Sequence, residues 1–307
     1  MRAAMIREFG PPSVIATAGV PRPEPTAGQV LVRVKAAGVG PWDALIREGK
    51  AVVSPSLPLI LGSDFAGTIE VAGPEVSEFK AGEEIYGATN EQFIGAYAEY
   101  ACASIKTIAR KPARLSHVEA ASAPVVAVTA SQILFEYAHA AAGQTVLVHG
   151  AAGNVGAYAV QLAKNAGLHV IATASPRDAE YVRGLGAERV IDYQEARFED
   201  ALDPVDIVVD TIGGEVRERS LRVLSPGGIL VSVASPIPPE MARRYGPRAV
   251  FFLVEVTTAR LNAISALFDS GELTVQVGTV LPLEQARAAH EMLAGAPHAR
   301  GKIVLRL

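Results

Sequence analysis

Cysteine is almost absent from this sequence. Cys102 stands alone among 307 residues. That excludes an intramolecular disulfide and any metal site built from several thiolates, and it fits a reducing compartment; the expected location is the cytoplasm. Aromatic residues make up only 6% of the chain, so the core must be assembled from Ala, Val, Leu and Ile, which suits an α/β protein. A large excess of charge of one sign is missing too. The formal net charge is -4 and no Lys or Arg cluster stands out, so nothing supports nucleic acid or an anionic membrane as a partner. No apolar run reaches the ~20 residues of a membrane-spanning helix. The opening MRAAMIREFGPP is too short and too broken for a signal peptide.

What is present centres on Thr145 to Gly167, TVLVHGAAGNVGAYAVQLAKNAG. The β-branched run Thr145–Val148 reads as a buried parallel strand. A small-residue turn follows, and Val155, Ala159, Leu162, Ala163 and Ala166 then recur at helical spacing until Gly167. Strand, glycine turn and helix open a dinucleotide-binding βαβ unit. A pyrophosphate must touch backbone N–H groups at the helix start, which demands small residues there. Ala151 occupies the place of the first glycine of G-x-G-x-x-G, giving A-x-G-x-x-G with Gly153 and Gly156. The contact residues expected at this turn are Ala152, Gly153, Asn154, Val155 and Gly156.

The length suggests about two domains. Residues up to about Lys111 read as short strands punctuated by Gly and Pro, a barrel-like antiparallel unit with one helix over Pro41–Gly49. A helical stretch from about His117 to Ala142, interrupted by Pro124, leads into regular strand–helix alternation, the pattern of a doubly wound parallel sheet. Ala249–Val256 is a further strand candidate. The final 35 or so residues are expected to rejoin the first domain, giving 1–120 with 272–307, and 121–271.

The segments AAGVGPWD (36–43), LGSDFAG (61–67), the 151–156 turn, LGAERVIDY (185–193), DIVVDTIG (206–213) and RGKIVL (300–305) occur in this order. Together they resemble the zinc-free quinone oxidoreductase, zeta-crystallin-like branch of the medium-chain dehydrogenase/reductase superfamily, over essentially the full length. The resemblance implies a GroES-like β-barrel catalytic domain, a Rossmann domain, NADPH as hydride donor, and a homodimer joined by Rossmann sheet edges. Zinc-dependent relatives carry a cysteine near Gly40 and a His-Glu pair where Ser63 and Asp64 stand. Glycine and serine supply no thiolate or imidazole, so no metal is expected. The six histidines, 117, 139, 149, 169, 290 and 298, show no ligand spacing.

In relatives, Gly40, Trp42 and Asp43 line the substrate pocket, though the Asn and Tyr common there are missing here. Trp42 could stack on a flat ring, but an isolated tryptophan is more often core; Asp43 with Arg47 is otherwise a plain i,i+4 pair. Thr129, and Phe252 and Val254, match positions near the nicotinamide in relatives, with helix-capping and strand-core roles as the alternatives; Ala234 and Ser235, at the carboxyl end of a strand, are expected to contact the cofactor, with a plain turn as the alternative. About 20 residues past the glycine turn an NAD-binding unit usually has an acid. Here the strand ends in Thr173-Ala174-Ser175. Asp178 and Glu180 are set aside as lying inside the next helix. Ser175, Arg177 and Tyr193 instead suggest a grip on the 2′-phosphate of NADPH. The expected activity is zinc-independent hydride transfer from NADPH to a quinone. An enone or enoyl-thioester reductase is the alternative, and an NADPH-binding structural or sensor protein the reading from another class. The proton donor is left open between solvent and a hydroxyl such as Tyr86 or Tyr97.

Overall fold

The computed structural model describes residues 1–52, 55–245 and 248–307. The chain divides into two compact units, Met1–Val125 with Glu255–Leu307, and Val126–Val254. The first pass through the first unit gives β1 (Arg2–Ile6), β2 (Ala16–Gly19), β3 (Gln29–Val39), α1 (Pro41–Arg47), β4 (Leu59–Ile60), β5 (Asp64–Ala72), β6 (Glu84–Ala88), β7 (Tyr100–Ser104), β8 (Ile108–Arg110) and α2 (His117–Ala121). The chain then forms α3 (Pro124–Ser131), a π-helical turn at Gln132–Tyr137, β9 (Thr145–Val148), α4 (Asn154–Asn165), β10 (His169–Ala174), α5 (Pro176–Gly184) and β11 (Arg189–Asp192). β12 (Val205–Asp210), α6 (Gly214–Ser220), β13 (Leu224–Ser232), α7 (Pro239–Tyr245) and β14 (Ala249–Phe251) follow. The return pass is α8 (Thr258–Ser270), β15 (Val277–Pro282), α9 (Ala286–Leu293) and β16 (Lys302–Arg306).

In the first unit β3 is the hub. It pairs antiparallel with β5, β7 and β16, and the larger sheet runs β15-β16-β3-β5-β6-β8. Val30, Val32 and Val34 are buried as the alternation implies, but Leu31 on the opposite face is buried too, so this part of β3 is covered on both faces. A second sheet has the order β2-β1-β4. This is the GroES-like barrel.

The second unit holds a six-stranded sheet in the order β11-β10-β9-β12-β13-β14, parallel throughout. Val146, Leu147 and Val148 are fully buried because helices cover both faces of such a sheet. The order reverses between β9 and β12, and ligand crevices lie at the carboxyl ends of strands at such a switch point. The protein is therefore α/β, with a Rossmann doubly wound sheet in one unit and the barrel in the other.

Three expectations need correction. The return to the first unit comes at Glu255, ahead of 272. α8 belongs to that unit because Thr258 Oγ1 donates to the carbonyls of Ile105 and Ile108, both at 2.7 Å, and Tyr86 donates to Leu261 O at 2.8 Å. The helical stretch 117–142 is three pieces. Pro124 lacks the N–H that would extend a preceding helix and instead starts a new one. The strand expected over 249–256 stops at Phe251, because Phe252 leaves the sheet to stack on Tyr137 with ring centroids 4.2 Å apart.

Candidate cofactor cleft and a buried polar cluster

The glycine turn joins β9 to α4. The tight bend is made by Gly150, at φ +68°, where a Cβ would come within 2.3 Å of Thr211 Oγ1. Ala151 can thus replace the first glycine of the fingerprint, because the position that needs glycine lies one residue earlier. A Cβ on Gly156 would stand 2.2 Å from Gly150 O, so its hydrogen lets the helix close on the turn. Gly153 caps α4, and a Cβ there would touch only Gly150 O, at 3.1 Å. The N–H groups of Asn154, Val155 and Gly156 open the helix and have no carbonyl of their own helix to bond.

This turn lines a cleft of about 490 Å³ through Gly150, Ala152 and Gly153, together with His149, with Thr173, Ala174, Ser175 and Asp178, with Tyr193, Ala196 and Phe198, and with Ile212, Val216 and Arg219. The groups come from the ends of four adjacent parallel strands. Tyr193 and Ile212 are exposed, at 58% and 55%, large apolar side chains on its walls. His149 is buried between Thr173 Oγ1 (3.0 Å from Nδ1) and Ser220 Oγ (2.9 Å from Nε2). Ser220 spends its own proton on Val216 O, so Nε2–H is the donor and Nδ1 accepts from Thr173. Burial pushes this imidazole down to about 4, which keeps it neutral at neutral pH. Arg219 lies over the Phe198 ring and is held by both oxygens of Glu199, at 2.8 and 2.6 Å. Those hydrogen bonds hold the Glu199 carboxyl down to about 2.

Of the residues expected to touch cofactor, Ala152, Gly153, Ser175 and Tyr193 line the cleft. Asn154, Val155 and Gly156 begin the helix beside it. Arg177 does not line it; its side chain is 88% exposed, with Nε 3.5 Å from Asp178 Oδ2. Asp178, set aside from the sequence as too far along, is in the cleft wall, since the first turn of α5 folds its side chain back onto Ser175. Thr129 is buried in α3. Ser235, beside Ala234, is tied through its carbonyl to Arg217 Nη1 at 2.7 Å. Phe252 is buried against Tyr137, and Val254 is half-buried beyond it. None of these five lines the cleft. His149, Thr173, Ile212, Phe198 and Arg219 were missed. The strand-end rule could have found Thr173 and Ile212, whereas Arg219 reaches the cleft from a helix and carries no local signal.

These features fit a dinucleotide: a cradle at a helix start that a Cβ would fill, exposed apolar walls, and hydroxyl groups at strand ends.

The first unit has a different polar site. Asp43 caps its own helix, with Oδ2 accepting from Gly40 N at 2.8 Å and from Tyr97 OH at 3.0 Å. Asp43 Oδ1 is buried with no hydrogen-bond partner among the described residues. Burial raises this carboxyl to about 7. Nearby, Lys302 Nζ donates to Asp64 Oδ2 at 3.0 Å, and Val125 N donates to Asp64 Oδ1 at 3.1 Å. A Cβ on Gly40 would stand 3.1 Å from Lys302 Nζ. The ammonium of Lys302 thus stands close to both Gly40 and Asp64. Among the described residues no three His, Cys, Asp or Glu side chains are grouped to hold a metal ion.

The Asp43–Arg47 pair, the alternative to a pocket role for Asp43, does not form: Asp43 bonds Gly40 N and Tyr97. Arg47 is buried and instead bonds Gly10 O and His290 Nδ1, both at 2.9 Å, and pairs with Glu48. Trp42 packs on the core edge-on to Phe93, with ring centroids 5.9 Å apart. Neither tyrosine hydroxyl considered as a proton donor is free: Tyr86 is bonded to Leu261 O and Ser265, and Tyr97 to Asp43.

Comparison with known proteins agrees with this architecture. Residues 26–113 match the alcohol dehydrogenase GroES-like domain and residues 185–305 the family described as zinc-binding dehydrogenase. The quinone oxidoreductase of Mus musculus is 33% identical, covering 100% of this chain and 98% of the relative. The NADPH-dependent alkenal/one oxidoreductase of Arabidopsis thaliana is 32% identical, covering 99% of this chain and 79% of the relative. The crystal structure of Escherichia coli quinone oxidoreductase complexed with NADPH superposes with a TM-score of 0.89 at 27% identity, covering 100% of both chains. With full-length similarity at this level, the chain belongs to the quinone oxidoreductase family of the medium-chain dehydrogenase/reductase superfamily.

Proposed function

We propose that the protein is an NADPH-dependent, zinc-independent oxidoreductase that reduces a quinone. The observation that carries this reading is the glycine turn opening onto a cleft walled by the ends of four parallel strands. The bound nicotinamide nucleotide supplies the hydride. The chain supplies its placement. The N–H groups of Asn154, Val155 and Gly156 hold the pyrophosphate beside Gly153 and Ala152. Ser175, Arg177 and Tyr193 take the 2′-phosphate, and Thr129, Ala234, Ser235, Phe252 and Val254 serve the nicotinamide end. Gly40, Trp42 and Asp43 belong to the substrate side. Zinc independence is supported by Gly40 and Ser63, which offer no metal donor, and by Lys302, whose ammonium already neutralises Asp64.

The Arabidopsis relative supports a second reading, reduction of an alkenal or enone on the same scaffold. The assembly we propose is a homodimer through the edge of the parallel sheet, because β14 ends that sheet with one side unpaired among the described strands. A cytoplasmic location accords with the single cysteine; among the described residues no helix is long and apolar enough to cross a membrane.

The test is steady-state NADPH oxidation with quinones, alkenals and enoyl thioesters, before and after prolonged EDTA treatment. Quinones are expected to turn over fastest, with no change after chelation. Faster turnover of alkenals would favour the second reading. Binding of NADPH without turnover of any substrate would favour a sensor or structural role. Loss of activity in EDTA with recovery in zinc would overturn zinc independence.

A further inference from the structure

Ser175 and Arg177 are the groups assigned to the 2′-phosphate, yet both already face a carboxylate. Ser175 is the N-cap of α5, but its hydroxyl makes no bond to the helix N–H groups. It donates to Asp178 Oδ2 at 2.6 Å. Arg177 Nε lies 3.5 Å from the same oxygen. One carboxylate oxygen therefore sits where the hydroxyl and the guanidinium converge. An acid in the first turn of a helix is ordinary, and Asp178 N bonds Ser175 O at 3.0 Å in the usual way. That role explains its place on the helix. It does not require the side chain to be part of the cleft wall beside Ser175 and Tyr193, where it stands.

We propose that Asp178 sets the discrimination between NADPH and NADH in this chain. Its carboxylate is an internal stand-in for the phosphate. A nearly dianionic 2′-phosphate must take Ser175 and Arg177 away from Asp178 and then remain beside its negative charge. A ribose without the phosphate meets no such competition, and its 2′-hydroxyl can donate to the carboxylate, as ribose hydroxyls do to acids in NAD-binding units. Ser175, Arg177 and Tyr193 thus pull toward NADPH while Asp178 pulls back.

The inference rests on the cofactor reading of this cleft, and binding to the protein without substrate separates the two. Titrate NADPH and NADH into the wild type, Asp178→Asn and Asp178→Ser by calorimetry, with thermal melts to confirm folding. Both variants keep a polar side chain able to serve the helix start. Asp178→Asn is expected to bind NADPH roughly ten- to a hundredfold more tightly, the scale of a charged hydrogen bond. NADH affinity should stay level or fall, so the preference ratio rises. Asp178→Ser should move the same way. Folded variants that bind NADPH no more tightly than the wild type would overturn the inference and leave the cofactor reading standing. A wild type that binds neither nucleotide would overturn the cofactor reading itself.

Discussion

The two units treat polar groups in opposite ways. In the Val126–Val254 unit they gather at strand ends around an open cleft, and the glycine turn presents backbone N–H groups at its edge. In the other unit Asp43, Tyr97, Asp64 and Lys302 are each no more than 3% exposed and satisfy mainly one another. The cleft is built by a continuous motif and the ends of three strands near it in the sheet. The buried cluster is built by residues from 43 to 302 that only an antiparallel sheet brings together. The first arrangement leaves donors available to a ligand. The second closes charges inside the fold, where their removal is costly.

That contrast can be broken from either side. The largest effect should come from the sealed cluster. Lys302→Met leaves Asp64 buried without its cation, and breaking such a pair costs about 3–5 kcal/mol. Urea unfolding should show that loss, and adding Asp64→Asn should recover part of it. A loss below about 1 kcal/mol would mean that the pair is not closed off as described. The next effect belongs to the cleft. Gly153→Val should weaken NADPH by roughly a hundredfold or more, about 2.7 kcal/mol, with little change in unfolding, because the new side chain projects where the nucleotide must pass. A folded variant with full NADPH affinity would place the nucleotide elsewhere.

Third is the pH dependence of stability. Burial first, with the Asp64 charge adding to it, raises Asp43 from 3.8 to about 7 against the pull of Gly40 N–H, Lys302 and Tyr97. Between these values the folded chain holds a proton that the unfolded chain has lost, so this group's contribution falls as pH rises from about 4 to about 7. His149 and His290, held neutral with values near 4 and 3, act in the opposite direction. The difference between wild type and Asp43→Asn removes that background. It should shift by on the order of 2 kcal/mol between pH 5 and 8, against the wild type as pH rises. Parallel pH profiles would contradict the buried acid. The smallest effect is at the cleft rim: Arg177→Ala should weaken NADPH about tenfold and leave NADH unchanged. The low end of the charged-bond range applies because Arg177 is 88% exposed. Equal losses for both nucleotides would remove Arg177 from the phosphate grip.

How much of this was readable follows from the same contrast. Thr145–Gly167 announces its strand, turn and helix because each depends on local spacing, and Ala152, Gly153, Ser175 and Tyr193 meet in the cleft as strand order requires. That α8 belongs to the first unit was not readable from local spacing, since the bonds from Thr258 to Ile105 and Ile108 join residues 153 and 150 positions apart. Asp43 and Arg47 had the spacing of a surface pair. Burial decided otherwise: it gave Asp43 to Gly40 and Tyr97, and Arg47 to Gly10 and His290.

The sequence by itself determined the two-part architecture, the parallel sheet and the strand–glycine turn–helix unit, because hydrophobic period and glycine placement act over a few residues. Only the tertiary structure decided that Asp178 enters the cleft wall and that Lys302 neutralises Asp64. It alone decided that Asp43 is sealed against Tyr97. Which partner a charged side chain takes depends on what else is buried within reach of it, and that neighbourhood exists only once distant strands have paired.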